Sequence, residues 1–315
     1  MNEVAVNYLY TYSRHVDEHD LCRLEMRAFF NQDTYENFIL NNVCIDPSRS
    51  PFMRERLDVL IMCDSVSEIT EYVSTFSDEG QTFLIRCLNT IPLGDTPKLS
   101  HPNRRKIERD IGMAMSGEAD LDNPDILYGV VQIGNRYLFG YLTESVAVWN
   151  LHVKKPEMYS TALSTRVARA VSNIAVPHPK GVKAIDPCCG IGNVLVEALS
   201  MGIDMDGRDI NPLAVLGSRK NIAHFGLTGD VTPGPIEEAP GHYDAAIIDM
   251  PYNLYTHVTR EQQASILQSA RTLTDKLVIV TIESMDDLLI DSGFEIVDRC
   301  IAKKAHFERE VVVCR

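Results

Sequence analysis

The sequence predicts an α/β protein. Its second half should fold as a doubly wound parallel sheet with an antiparallel last strand, preceded by an α+β region. Short apolar runs alternate with amphipathic helical segments from residue 183 onward. The first of these runs leads into a turn with two glycines and then into a helix. The last two strand-like segments are separated by a loop too short for a helical crossover, so they should form a hairpin.

The elements of the second half follow in regular order. Strands are expected at 183–186 (KAID), 205–210 (MDGRDI), near 231, at 245–249, at 276–282 (KLVIVTI), at about 294–302 and at 310–314. Helices are expected at 194–201, 212–225, 261–273 and 285–291. Asn211 can cap the second of these helices, Pro212 suits its first position, and Gly226 fits its end.

The first half alternates less regularly. Strands are expected at 4–12, 56–63 and 82–90, and helices at 18–30, 66–76 and 104–115. Two further strands over 125–143 flank Gly134-Asn135, which is a hairpin-turn signal. An amphipathic helix over 160–175, capped by Ser160 or Thr161, should precede the parallel sheet.

The predicted domain boundary lies near Pro156, where the pattern breaks and proline restricts the residue before it. We predict an N-terminal α+β region over 1–152, a linker over 153–159 and a second domain over 160–315.

The chain is acidic. Its formal net charge is −14, and residues 1–150 hold 13 Lys+Arg against 23 Asp+Glu. This balance does not favour non-specific binding to nucleic acid, which rests on the neutralisation of phosphates. The densest basic cluster consists of Arg104, Arg105, Lys106 and Arg109. It is compatible either with a local RNA-binding patch or with an ordinary solvated surface.

The cysteines and the hydropathy of the sequence indicate the cellular compartment in which the protein is expected. The eight cysteines are scattered and resemble no disulfide framework, so a reducing cytoplasm is expected. No apolar run approaches the length of a membrane span. The first residues lack a basic region followed by an apolar core, so we expect neither a signal peptide nor a membrane partner.

The strongest local signal is AIDPCCGIGNVLVEA at 184–198. A strand ends at Asp186, Gly190 and Gly192 allow a tight turn, and a helix then begins whose free N–H groups face the same cavity. In an open α/β sheet this turn lies at the edge where ligands bind. The dinucleotide-binding fingerprint G-x-G-x-x-G would require a third glycine at residue 195, which is leucine. A phosphate-binding P-loop would require G-K-[ST], which is absent. A tight turn without a ligand is the remaining alternative.

The spacing D-P-x-C-G-x-G resembles the first motif of class I S-adenosylmethionine-dependent methyltransferases. In that family the glycines lie against the methionine part of the cofactor. Asp209, which ends the second strand, would accept hydrogen bonds from both ribose hydroxyls; alternatively, it caps the helix that follows. A carboxylate for the adenine amine is not evident because Asp230 comes too early, so backbone groups would hold the adenine.

The resemblance therefore implies S-adenosylmethionine as the cofactor. It also implies that the following residues bind the cofactor: Asp186, Pro187, Cys188, Gly190, Gly192, Asn193, Asp209 and Ile210. Cys188 and Cys189 are expected to pack in the turn, because this motif position accepts small apolar groups, and not to act as nucleophiles. His15, His19 and Cys22 have the helical spacing of metal ligands. Without a fourth ligand in reach, we predict a solvated helix and no metal.

The strand at 245–249 ends in Asp249-Met250-Pro251-Tyr252, which resembles the (Asp/Asn)-Pro-Pro-(Tyr/Phe) motif of methyltransferases that act on amino groups of planar bases. An amine conjugated to a ring has a delocalised lone pair and is a poor nucleophile. The Asp249 carboxylate and the Met250 carbonyl could accept its two N–H groups and favour the tetrahedral form. Tyr252 could stack on the base, and Pro251 would hold the loop. An ordinary strand-end turn is the alternative.

Met250 stands where the family has its first proline. The proposed acceptor at this position is a main-chain carbonyl, so the replacement Met250→Pro is expected to be tolerated.

The resemblance extends beyond these motifs. Residues 160–315 are similar to the Rossmann-like catalytic domain of tRNA guanosine-N2 methyltransferases with an N-terminal THUMP domain, and 104–142 resemble the second half of a THUMP domain. This implies methyl transfer to guanine N2 in tRNA or another structured RNA. An adenine-N6 methyltransferase acting on RNA or DNA, and an inactive cofactor-binding scaffold subunit, are the alternatives. A small activating protein partner or a homodimer is a further expectation.

Overall fold

The computed structural model describes residues 7–77, 80–88, 98–159, 162–251, 258–304 and 307–315, which form two compact units. The first unit contains the described residues of Met1–Ser13, Thr34–Ser48 and Phe52–Val146. The second contains those of Arg14–Asp33, Arg49–Pro51 and Ala147–Arg315. The domain boundaries derived from the sequence, including the 153–159 linker, stay a prediction.

The elements are numbered in chain order. The strands are β1 (Tyr8–Tyr12), β2 (Phe38–Asn41), β3 (Met53–Cys63), β4 (Phe83–Cys87), β5 (Ile126–Ile133), β6 (Arg136–Glu144), β7 (Lys183–Asp186), β8 (Asp204–Asp209), β9 (Val231–Pro233), β10 (Ala245–Asp249), β11 (Leu277–Thr281), β12 (Ile296–Lys304) and β13 (Phe307–Cys314). The helices are α1 (His19–Phe30), α2 (Val66–Val73), α3 (His101–Ala114), α4 (Thr165–Ala175), α5 (Asn193–Ser200), α6 (Pro212–His224), α7 (Arg260–Leu273) and α8 (Asp286–Asp291). In the described part of the chain, no helix is long and apolar enough to cross a membrane.

The first unit is an α+β fold around a six-stranded sheet with the order β2-β1-β3-β6-β5-β4. Neighbouring strands are antiparallel except β4 and β5, which are parallel. Gly134 has a φ of 59° between β5 and β6, which confirms the predicted hairpin. Helices α2 and α3 cover a sheet face through a buried cluster that includes Ile69, Val73, Ile107, Ile111, Ile85, Val130 and Phe139. Strand β2 had no sequence prediction.

The second unit is built on a seven-stranded sheet with the order β12-β13-β11-β10-β7-β8-β9. The five strands from β9 to β11 pair in parallel, whereas β13 is antiparallel to both β11 and β12. This arrangement confirms the predicted Rossmann-like, doubly wound sheet and its antiparallel last strand. From β7 the chain adds β8 and β9 toward one edge of the sheet. It then returns to the other side of β7, where it adds β10 and β11 toward the opposite edge. The crevice between β7 and β10 is therefore the expected ligand site.

Close packing explains the glycine within β8. A Cβ at Gly207 would overlap the side chain of Leu195 on α5 and approach Cys189. Helix α4 is capped by Ser164, whose hydroxyl accepts the N–H of Val167. The two caps predicted for it, Ser160 and Thr161, lie outside the described residues.

Helix α1 belongs to the second unit and packs against α4 and β12. The prediction of a solvated helix is wrong for Cys22, which is fully buried with Leu21 and Leu24. Burial raises the pKa of the Cys22 thiol far above its ordinary value. Glu25 is also fully buried, and its carboxylate accepts hydrogen bonds from the Ser50 hydroxyl at 2.5 Å and the Asn173 amide at 2.7 Å.

Glu25 gives a prediction for pH-dependent stability. Burial raises its pKa to about 7, although the hydrogen bonds from Ser50 and Asn173 oppose this shift. Between about pH 4.5 and 7 the folded state therefore binds more protons than the unfolded state, and stability falls as the pH rises. We expect Glu25→Gln to gain up to about 3 kcal/mol relative to wild type across this interval. Urea unfolding of both proteins at several pH values measures the difference. A difference that is independent of pH would contradict the prediction.

Candidate functional site

The candidate site lies at the carboxyl ends of three neighbouring strands, β8, β7 and β10. These strands end in Asp209, Asp186 and Asp249, respectively. The turn from β7 into α5 contains Gly190 and Gly192 and lies at the same edge of the sheet. The structure therefore brings together three acidic residues and both glycines that the sequence selected.

The two glycines of the turn have different surroundings. Gly190 has a φ of 53° and Gly192 a φ of 78°, so both adopt the left-handed conformation that favours glycine. A Cβ at Gly190 would meet no atom within 4 Å. A Cβ at Gly192 would overlap the Ser218 hydroxyl on α6. Gly190 therefore borders open space in which a ligand could lie, whereas Gly192 allows the turn to pack against α6.

Burial controls the protonation of Asp186, which is only 3% exposed. Removal from water raises its pKa well above the ordinary value. The N–H of Cys188 opposes the shift with a hydrogen bond of 3.2 Å, and the charges of Asp209 and Asp249 add to it. A positively charged ligand at this edge of the sheet would offset the charges of Asp209 and Asp249 and favour the ionised form of Asp186.

Asp209 is oriented by backbone groups. One carboxylate oxygen accepts the N–H of Gly190 at 2.7 Å, and the other accepts the N–H of Asn211 at 2.8 Å. Asn211 caps helix α6, because its side-chain oxygen accepts the N–H of Leu213. The alternative that Asp209 is the helix cap is therefore wrong. Each carboxylate oxygen has a further lone pair, so binding of ribose hydroxyls stays a prediction.

The cysteines of the turn are thiols that pack in the protein. Burial raises the pKa of both Cys188 and Cys189 far above the ordinary value, and the nearby carboxylates raise it further. A nucleophilic cysteine requires a lowered pKa. The surroundings therefore favour the predicted packing role.

The other residues assigned to cofactor binding differ in exposure. Pro187 is buried, whereas Ile210 is 74% exposed directly after Asp209. The Asn193 amide donates to the Leu163 carbonyl at 2.7 Å and accepts from the Lys155 ammonium at 2.7 Å. Both ends of that amide are thus bound within the protein. This leaves the Asn193 backbone as the part that could face a ligand.

The loop after β10 is described as far as Pro251, and Tyr252 lies outside the described residues. Met250 is 2% exposed and packs in the core of the second unit. Its N–H donates to the Val280 carbonyl on β11 at 2.9 Å, which extends the pairing of the two strands by one residue. Proline could not form this bond because it has no N–H group.

This bond reverses an expectation from the sequence. We now expect Met250→Pro to be destabilising, because it removes a buried hydrogen bond and leaves a cavity in place of the methionine side chain. The loss should be about 2–4 kcal/mol in the free energy of unfolding. Met250→Leu keeps the N–H and most of the buried volume, so it should cost less than about 1.5 kcal/mol. Equal stability of wild type and Met250→Pro in thermal and urea unfolding would contradict this view.

A feature that the sequence did not predict is the segment 155–157, here called the strap. The Asn221 side chain accepts the N–H of Glu157 at 3.0 Å and donates to its carbonyl at 3.0 Å. The same side chain also donates to the carbonyl of Ile191 at 2.9 Å. The strap is therefore fastened to the residue between the two glycines. In the sequence, the broken pattern and Pro156 indicated only a linker over 153–159.

The basic cluster lies on α3 of the first unit. Arg105 forms an ion pair with Glu108 at 3.2 Å, and Lys106 forms one with Asp110 at 2.7 Å. Neighbouring acidic residues thus offset two of its four positive charges. Among the described residues, no group of three or more His, Cys, Asp or Glu could hold a metal ion.

Comparison with known proteins gives several partial similarities, and no family model matches the sequence. The chain is 30% identical over 183 residues to a tRNA (guanine(10)-N2)-dimethyltransferase of Methanothermobacter thermautotrophicus, covering 51% of each protein. It is 25% identical over 250 residues to the U6 snRNA (guanine-N(2))-methyltransferase THUMPD2 of Mus musculus, covering 72% of this chain and 44% of that protein. The chain thus spans about half the length of the curated relatives it matches.

Among solved structures, TrmN from Thermus thermophilus aligns over 98% of both chains with 16% sequence identity and a TM-score of 0.48. A similarity at this level carries no inference about activity. The observed strand order establishes the fold independently.

Proposed function

We propose that this chain transfers a methyl group from S-adenosylmethionine to the exocyclic amine N2 of guanine in tRNA. One observation carries the proposal. The open space at Gly190, the carboxylate of Asp209 and the segment Asp249–Pro251 all belong to the carboxyl ends of adjacent parallel strands. This is the edge at which a doubly wound sheet binds its ligand, and these are the groups that a nucleoside cofactor and an amine substrate require.

The residues of the turn fit the cofactor. Gly190 leaves room for close approach of a ligand, and Asp209 has lone pairs for ribose hydroxyls. Ile210 presents an exposed apolar side chain beside Asp209 for contact with adenine. The acidic edge of the sheet suits the positive charge of a sulfonium group. S-adenosylmethionine supplies an electrophilic methyl group, so the protein contributes binding and orientation and needs no residue to carry the methyl group.

The substrate amine is proposed to bind at Asp249 and Met250. The carboxylate of Asp249 and the carbonyl of Met250 would each accept one N–H of the amine, holding the nitrogen in position and drawing its lone pair out of conjugation. The buried Met250 side chain and its bond to Val280 fix the backbone that carries this carbonyl. Stacking of Tyr252 on the base is part of the proposal, although that residue lies outside the described ones.

The names of the relatives support the choice of base. Three relatives are named as acting on tRNA and one on U6 snRNA, but all four names specify guanine N2. We therefore propose guanine in preference to adenine, and tRNA as the RNA. The first unit is proposed as a THUMP-like region that engages this RNA. A cytoplasmic location fits the eight cysteines, all of which are free of disulfides.

The test is transfer of a labelled methyl group to unmodified tRNA, followed by nucleoside analysis. The expected products are N2-methylguanosine and, after a second transfer, N2,N2-dimethylguanosine. Labelled N6-methyladenosine would overturn the choice of base. Cofactor binding without transfer to any RNA, even with cell extract added to supply a protein partner, would favour the inactive scaffold.

A further inference from the structure

The strap brings a lysine to the glycine turn. Lys155 donates to the side-chain oxygen of Asn193 at 2.7 Å, and Asn193 is the first residue of α5 after Gly192. The amide nitrogen of Asn193 donates to Leu163, so the amide oxygen must face the lysine. Asn221 fastens the strap to Ile191 on the other side. The position of the ammonium group is therefore fixed by hydrogen bonds that are partly or fully buried.

Part of the donor capacity of this ammonium is unused. Among the described residues, Asn193 is its hydrogen-bond partner and no carboxylate forms an ion pair with it. An ammonium has three N–H donors, so two are available to a ligand. Lys154, by contrast, is exposed to solvent.

The surroundings of Lys155 are unfavourable for a cation in the absence of an anion. Burial lowers its pKa, and the charge of Glu197 only partly opposes this effect. The ammonium also lies at the first residue of α5, where the helix dipole is positive. An anionic group bound at the turn would offset both costs.

The charges around the turn match those of an amino acid. Asp186, Asp209 and Asp249 place carboxyl groups at the ends of the strands, and Lys155 places a cation at the first residue of α5. S-adenosylmethionine carries a sulfonium and an ammonium, and its carboxylate is its only anionic group at neutral pH. If the glycine turn receives the methionine end of the cofactor, Lys155 is the cation available to that carboxylate.

We propose that Lys155 binds the carboxylate of the cofactor's methionine group through a charge-assisted hydrogen bond. This inference rests on the proposed function. It adds to the cofactor site a residue from the strap, outside the glycine-turn motif.

The test uses two ligands that differ only in this carboxylate: S-adenosylmethionine and decarboxylated S-adenosylmethionine. Calorimetry measures their affinities for the wild-type chain and for Lys155→Met. We expect Lys155→Met to weaken S-adenosylmethionine binding by about 10- to 100-fold, the scale of losing a charged hydrogen bond. Binding of the decarboxylated ligand should be no weaker than in wild type.

Two variants serve as controls. Lys155→Arg keeps the charge and should retain most of the affinity for S-adenosylmethionine, and Lys154→Met should bind both ligands like wild type. Unchanged binding by Lys155→Met would overturn the inference. Equal weakening of both ligands would also overturn it, because Lys155 would then act only by holding Asn193. A wild-type protein that binds neither ligand would instead refute the proposed function.

Discussion

Replacing Asp249 with alanine is expected to slow methyl transfer by about a hundredfold or more while the affinity for S-adenosylmethionine stays close to that of wild type. The first effect is the scale of removing one preorganised polar group from a transition state. Without the carboxylate, one N–H of the substrate amine loses its acceptor, and the nitrogen is held less firmly in a nucleophilic form. Asp249 lies at the end of β10, separate from the turn that follows β7, so the cofactor should still bind.

Asp249→Asn provides the matched control. Asparagine keeps one oxygen acceptor at the same place and occurs at this position in the motif that Asp249 to Tyr252 resemble. It should therefore transfer methyl groups faster than Asp249→Ala. Single-turnover rates with tRNA, cofactor affinities and thermal unfolding should be measured for both variants. If Asp249→Ala transfers methyl groups as fast as wild type, the segment is a strand-end turn and the active site lies elsewhere.

The sequence predicted those parts of the fold that depend on local signals. The strand Lys183–Asp186, the strand Ala245–Asp249 and the helix beginning at Pro212 have the predicted bounds or differ by a residue at one end. Each is marked by a short apolar run or by a capping residue next to proline, and neither signal needs information from distant parts of the chain. The glycine turn was predictable because its conformation restricts the residues that can form it.

Long-range contacts could not be predicted in this way. A helix at 18–30 was expected, but its burial within the second unit comes from packing against α4 and β12, which lie far away in the sequence. The hydrogen bond from Met250 to Val280 depends on the register of two strands, so a substitution that looked harmless became a destabilising one. The strap lacks periodicity, and its contacts with the side chains of Asn193, Lys220 and Asn221 join residues that are far apart in the sequence.

The protonation of Asp186 depends on the charges around it. Burial and two neighbouring carboxylates keep the proton affinity of Asp186 high. A cationic ligand would oppose these effects and favour the ionised form of Asp186.

The largest effect on cofactor binding is expected from Gly190→Leu. The backbone at this position has a φ of 53°, so any side chain adds strain of roughly 1–2 kcal/mol. The added side chain would also enter the open space beside Asp209 that the cofactor is proposed to occupy. Affinity for S-adenosylmethionine should fall by more than about a hundredfold, equivalent to about 3 kcal/mol. Because no protein atom lies within 4 Å of the new Cβ, the fold should survive.

Two other glycines separate the ligand effect from the backbone effect. Gly181 has a φ of 75° and equally open surroundings, but it lies before β7, at the opposite end of that strand. Gly181→Leu should therefore cost similar stability and leave cofactor affinity unchanged. Gly192→Leu would overlap Ser218, so it should lower the free energy of unfolding well beyond either of the others. If Gly190→Leu and Gly181→Leu bind S-adenosylmethionine equally well, the space at Gly190 does not receive the cofactor. The turn would then be a structural connection between β7 and α5.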